Sequence, residues 1–178
     1  MASIFCLESV PDFEQLSCGT ELGGIVAFAL VDKSLSPTKT DLQTKSYWQQ
    51  KTAASPQKMW IIQDTRGTYP GGTPVEEEGF GKTPTLRTGA DHEASIEVRG
   101  VEENRDFWAA VNQTDKWGIV FFTNDDLGFF AENVSVYAKI DIQQSIKTSI
   151  KWMVSCKWSD DMSNPLVFDA SAIATLYS

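Results

Sequence analysis

The chain has 178 residues, of which 42% are hydrophobic and 22% charged, and 24 acids against 15 bases give it a net charge of −9. These values exclude disordered, coiled-coil and low-complexity proteins and predict a single domain, residues 1–178, that needs no disulfide staples. The negative charge disfavours general binding to nucleic-acid phosphates. The N-terminus has no basic region and meets an acid at Glu8, so no secretory signal is expected. No apolar run approaches the ~20 residues of a membrane span, so no membrane anchor is expected.

The first half of the chain predicts few regular elements. Residues 1–22 have no periodicity and predict an N-terminal arm. The short apolar runs 23–30 and 59–62 predict buried strands, and 40–51 predicts a short helix. Residues 64–85 are rich in glycine and proline and predict a long loop. Loops of this length in a compact domain are usually functional or disordered, and the interleaved aromatic residues favour function.

The middle of the chain predicts strands around one helix. Residues 92–99 alternate between apolar and polar side chains, as a half-buried strand does. Residues 101–111 place acids in the first turn and apolar residues on one face, which predicts an α-helix. The apolar run 117–123 predicts a buried strand, and the Asn-Asp-Asp-Leu-Gly sequence at 124–128 predicts a hairpin turn.

The C-terminal third predicts a long antiparallel hairpin with one apolar face. Residues 134–142 and 146–158 alternate most clearly, and 162–178 is predicted as a tail. An unbroken strand of this length spans roughly 43 Å, close to the ~40 Å diameter of a domain of this size. Either the hairpin projects with an apolar face that another chain must cover, or a bend or bulge keeps it within one barrel. The predicted fold is mainly β, an antiparallel β-sandwich or half-barrel with one flanking α-helix.

Charge is distributed unevenly along this hairpin. Its polar face carries four lysines, Lys139, Lys147, Lys151 and Lys157. The acids gather elsewhere, in runs at 76–78, 102–103, 125–126 and 160–161. Opposite signs on different surfaces favour head-to-tail contact between identical subunits. An ordinary surface of mixed charge is the alternative.

The residues that usually carry chemistry are sparse. His92 is the only histidine and falls on the inward register of its strand, which favours a structural role. The three cysteines, Cys6, Cys18 and Cys156, form no metal-binding motif, and Cys156 is expected to lie in the core. The sequence therefore predicts no catalytic residue, no cofactor and no metal site, and a protein that is not an enzyme.

The order of these elements resembles the tail tube proteins of tailed bacteriophages and related injection systems. The resemblance covers residues 20–160. The stretches that carry it are Gly79-Phe80-Gly81-Lys82, Gly89-Ala90-Asp91-His92, Asn104-Arg105-Asp106-Phe107-Trp108, and the segment from Trp152 to Trp158 with Ser159-Asp160.

The resemblance implies a virion protein assembled in the host cytoplasm. Six copies would form a ring, and stacked rings would form a tube that conducts DNA as non-specific cargo, joined to other virion proteins. The implied interface residues are Tyr69, Glu76, Glu77, Glu78, Phe80 and Lys82 in the loop and Lys147 and Lys151 in the hairpin. Glu93 and Glu97 are the candidates for lining the channel, which tends to be acidic in that family.

Three alternatives remain open at this stage. Another virion part, such as a tail terminator, a head–tail connector or a capsid decoration protein, would share this architecture. A small ligand-binding β-barrel with aromatic residues in its pocket has a similar composition. An enzyme could use the 64–85 loop as a lid over carboxylates.

Overall fold

The computed structural model describes residues 23–79, 81, 85–142, 150–160 and 165–178. Strands make up 49% and helices 20%, and the strands pair antiparallel, which confirms the predicted fold class. The strands are β1 Ile25–Asp32, β2 Met59–Ile62, β3 Arg66–Thr68, β4 Gly72–Glu77, β5 Leu86–Val98, β6 Trp117–Thr123, β7 Leu127–Asp141, β8 Lys151–Asp160 and β9 Leu166–Asp169. The α-helices are α1 Lys39–Gln43, α2 Lys45–Thr52 and α3 Arg105–Gln113, and a 3-10 helix spans Ser171–Leu176. The arm predicted over 1–22 lies outside the described residues.

Six strands pair in a closed ring in the order β1, β6, β7, β8, β5, β3 and back to β1. The ring closes through a single register pair, Ile25 opposite Gly67. A Cβ on Gly67 would lie 3.0 Å from Cγ1 of Ile96 and 3.1 Å from Cβ of Ile25, so glycine permits this close approach. The fold is therefore a small antiparallel barrel, with β2, β4 and β9 paired to its outer edges.

The barrel interior is filled by side chains that alternate along each strand. Its aromatic members from the strands are Phe28, Trp117, Phe121, Trp152 and Trp158. Helix α3 adds Trp108, which stacks on Phe28 with ring centroids 6.4 Å apart. The Asn112 side chain fixes this helix, because it accepts from the backbone N–H of Ala138 at 2.7 Å and donates to its carbonyl at 2.8 Å.

A second apolar cluster lies outside the barrel, against β1 and β6. Helices α1 and α2 contribute Leu42 and Trp48, and the C-terminal segment contributes Phe168, Ile173 and Tyr177. Both faces of β1 and β6 are therefore buried, which explains why their sequences read as unbroken apolar runs. The segment predicted as a tail, 162–178, thus contains a strand and a 3-10 helix that complete a core.

The predicted C-terminal hairpin is present as β7 and β8, which pair from Ser135 opposite Lys157 to Asp141 opposite Lys151. Strand β7 pairs first with β6 and then with β8, and it changes partner near Asn133, whose φ of 56° accompanies a shift in register with β6. The strand is therefore bent at a bulge, and the β7–β8 pairing continues one residue pair beyond the last β5–β8 pair, Val98 opposite Trp152. Its predicted turn at 143–145 and residues 146–149 lie outside the described residues.

Candidate functional site

The predicted interface residues fall on separate parts of the barrel. Glu76 and Glu77 lie on β4 and Glu78 follows it, whereas Lys151 begins β8 and Tyr69 follows β3. Phe80, Lys82 and Lys147 lie outside the described residues.

Strand β4 occupies a segment that the sequence predicted to be a loop. It pairs with β5 from Gly72 opposite His92 to Glu77 opposite Leu86, and all six of its residues are exposed. We call residues 72–77 and 86–91 the acidic ribbon. The carboxylate Oε1 of Glu76 lies 3.1 Å from Nε of Arg87, a pair that is exposed on both sides and adds little stability. Residues 86–89 of β5 pair with β4 alone, whereas Ala90 and Asp91 also pair with β8. A two-stranded segment is marginally stable alone, so this end of the ribbon is suited to contact with another chain.

The far end of the β7–β8 hairpin carries exposed apolar side chains. Ile140 is 43% exposed, Ile142 is 72% exposed and Ile150 is 51% exposed. Ile140 lies opposite Trp152 in the register that faces the core, and Ile142 and Ile150 are the next residues of the same register. We call these three the isoleucine end. The sequence indicated these apolar positions, because the alternation of apolar residues continues beyond the barrel. The pattern alone does not show at which residue the barrel ends.

The outward face of β5 and β8 shows that the lysines and glutamates of this sheet neutralise one another. Nζ of Lys151 lies 2.6 Å from Oε1 of Glu97, and Nζ of Lys157 lies 3.1 Å from Oε1 of Glu93. Serines 95, 135 and 155 lie on the same face. The idea that the hairpin lysines form a surface separate from the acids is therefore wrong for these two, because the β5–β8 register places a glutamate beside each.

His92 is buried, as its register predicted, and its ring is enclosed by polar and aromatic partners. Nδ1 lies 2.7 Å from the Tyr69 hydroxyl, and Nε2 lies 3.0 Å from Oδ2 of Asp160, off the direction of a good hydrogen bond. The ring stacks on Trp158 at 4.9 Å and 6°. Burial, and then the charge of Asp160, raise the pKa of Tyr69. Both ring nitrogens thus face partners within the protein, which is the environment of a structural histidine.

An apolar pocket opens where β1 and β3 begin and where β6 passes into β7. Its volume is about 330 Å³. We call it the barrel pocket, and it is lined by Gly23, Gly24, Ile25, Gly67, Thr68, Tyr69, Phe121, Thr123 and Phe129. No sequence motif marks it, because its walls come from four strands that only the closed barrel brings together. Tyr69, predicted as an interface residue, forms part of this wall.

The described residues contain no group of three or more His, Cys, Asp or Glu side chains placed to hold a metal ion. Cys156 is buried in the barrel, and burial raises the pKa of its thiol far above the usual range, so it is an inert core residue there. No helix in the described part of the chain has both the length and the apolar character needed to cross a membrane.

Comparison with family models finds no match for the chain, and comparisons with curated proteins and with solved structures find none either.

Proposed function

We propose that this chain is a self-assembling structural subunit of a virion, a tail-tube protein whose rings stack into a tube that conducts DNA. The observation that carries the proposal is the isoleucine end. Three large aliphatic side chains on the core-facing register are 43%, 72% and 51% exposed, and a monomer gains nothing from exposing them. Contact with a further copy would remove them from water.

Two other features support the same proposal. The acidic ribbon presents a strand that is exposed along its whole length, which suits pairing or packing with a neighbouring subunit. The outward face of β5 and β8 holds Glu93 and Glu97, proposed to line the channel, with their lysine partners. Tyr137, Lys139 and Met153 lie on the same face. A wall in which two of the three lysines are paired with glutamates would hold duplex DNA only weakly.

Negative-stain electron microscopy of the purified chain at several concentrations tests the proposal. We expect open tubes that lengthen with protein concentration, since contacts between identical rings do not close axially. Closed single rings would instead indicate a terminator or connector. A protein that stays monomeric at high concentration and binds an apolar dye stoichiometrically would contradict the proposal and favour a ligand-binding barrel.

The paired charges of the proposed channel wall give a second test. Replacing both Glu93 and Glu97 with glutamine leaves Lys151 and Lys157 without their carboxylates. We expect tubes of this variant to retain duplex DNA at low salt and to release it as salt rises, because lysine contacts with phosphates displace counterions. Co-sedimentation of DNA with the tubes measures this effect.

The matched control replaces Glu102 and Glu103 with glutamine, which removes the same charge from exposed positions before α3. If the control retains as much DNA as the Glu93→Gln, Glu97→Gln variant, net charge alone governs binding and the proposed channel wall is wrong.

A further inference from the structure

The outer edge of strand β4 is open. Strand β4 pairs with β5 along one edge, and among the described residues no strand pairs with its other edge. All six residues of β4 are exposed, so this edge is accessible. An open edge with unpaired N–H and C=O groups can accept a strand from another copy, which leads to uncontrolled aggregation. The backbone groups that face this edge therefore decide how the acidic ribbon can be used.

The register of the sheet shows in which direction each backbone group points. In an antiparallel pair, both residues direct their N–H and C=O groups either toward each other or away from each other, and the two cases alternate along the strands. The Asn112 side chain bonds the N–H and C=O of Ala138, so these groups point to α3 and away from β8. Along the same row of the sheet, Val154 therefore points to β5, Ile96 points back to β8, and Gly67 points away from β5. Gly67 thus faces β1, with which β3 does pair, and this agreement supports the assignment.

The same alternation assigns the two edges of β4. Even-numbered residues of β5 from Ile96 back to Ala90 face β8, because their register with β8 is unbroken. Pro74 lies opposite Ala90, and Gly72 lies two residues earlier, so the backbone groups of both face the open edge. The nitrogen at position 74 carries no N–H, since it belongs to a proline ring. Proline in sheets is found on edge strands with its nitrogen toward solvent, as here.

A second irregularity lies next to this proline. The register shifts between Val75 and Glu76, and Thr88 of β5 is left without a partner in β4, as in a β-bulge. A bulge increases the local twist, and bulges, prolines and charged side chains all protect edge strands from pairing with other chains. The open edge of the ribbon carries all three features, because Glu76 and Glu77 complete the strand.

We infer that Pro74 prevents the acidic ribbon from accepting a strand, so that a neighbouring copy contacts the ribbon through side chains and not through its backbone. A strand added to this edge would lose the hydrogen bond at position 74, in the middle of the six-residue strand. The first half of the inference concerns the single chain. The second half rests on the proposed function and specifies how the ribbon contacts the next ring.

Restoring the missing N–H tests the first half. Pro74→Thr supplies a backbone donor and a residue that favours strands. We expect it to raise the yield of thioflavin-positive aggregate about tenfold or more over wild type, because an open edge with its donors complete templates cross-β pairing. The matched control is Val75→Thr, which introduces the same residue one position on, where the backbone faces β5. A Pro74→Thr chain that keeps a cooperative urea transition and aggregates no more than this control would overturn the inference.

Hydrogen exchange of the wild-type chain tests the second half without a substitution. The N–H of Gly72 faces the open edge, whereas that of Thr73 faces β5 and should exchange slowly in every state. We expect assembly to slow exchange at Gly72 less than about tenfold, since side-chain contact gives its N–H no partner. A larger slowing would show that a strand adds at this edge, which would overturn the inference and leave the proposed function standing. A chain that never assembles would instead contradict the proposed function, and the Pro74→Thr comparison would still decide the role of Pro74.

Discussion

Replacing Trp152 with alanine is expected to unfold the protein. Its side chain is 6% exposed and lies in the barrel core, with its ring centroid 6.2 Å from that of Trp108. It occupies β8 between Val98 of β5 and Ile140 of β7, so its loss opens a cavity beneath three strands. Removing a buried tryptophan side chain costs about 3–5 kcal/mol, a large part of the ~5–15 kcal/mol that stabilises a typical domain.

The control for this prediction is Trp152→Phe. The indole N–H of Trp152 is buried without a hydrogen-bond partner, so phenylalanine removes an unsatisfied donor while keeping much of the apolar volume. We expect Trp152→Phe to fold, with a free energy of unfolding well above that of Trp152→Ala. Urea denaturation followed by circular dichroism measures both variants. A cooperative transition of unchanged midpoint for Trp152→Ala would show that the barrel core does not depend on this residue.

The local sequence pattern was sufficient to predict a strand wherever one face of that strand is exposed to solvent and the other is buried. The alternation in β7 and β8 predicted both strands and the inward register of Cys156, and the alternation over 92–99 predicted the inward register of His92 on β5, because period-two burial follows directly from strand geometry. The same reasoning correctly read β1 and β6 as buried strands. It could not show that a second cluster from α1, α2 and β9 covers their outer faces, since that depends on contacts far apart in the chain.

The elements that the sequence did not predict depend on pairing with a distant partner. Strand β4 contains Pro74 and lies in a segment rich in glycine, so its composition favours a loop, and only the register with β5 makes it a strand. The apolar residues at 166–178 are too irregularly spaced to predict a strand. Phe168 nevertheless packs in a core formed by α1, α2 and β6. Tertiary context decided both segments.

The candidate sites also differ in whether they depend on local sequence or on pairing between distant strands. Exposed acids such as Glu76 and Glu77 could be placed on a surface from the sequence, because charge runs stay in water. Whether a lysine is free or neutralised depends on register, and the pairing of Lys157 with Glu93 becomes visible only when β5 and β8 are aligned. The barrel pocket could not be predicted from the sequence, because its walls come together only when the ring of strands is complete.

Deleting residues 71–78 is expected to abolish tube growth while leaving the barrel folded. The deletion removes β4, whose six residues are all exposed and contribute no side chain to either apolar cluster. Its contacts with the barrel are the backbone pairing with β5 and the close approach of Gly72 to His92, where a Cβ would be 2.4 Å from Cε1 of that ring. The cost to folding should therefore be small, whereas the acidic ribbon, proposed to contact the neighbouring ring, is lost.

Thermal unfolding followed by circular dichroism checks the fold of the deletion variant, and electron microscopy checks assembly. Val75→Asp is a second variant that keeps the backbone and places a charge at an apolar position of the ribbon that is 38% exposed. Both variants should form at most short oligomers. Long tubes from the deletion variant would show that the ribbon has no part in assembly.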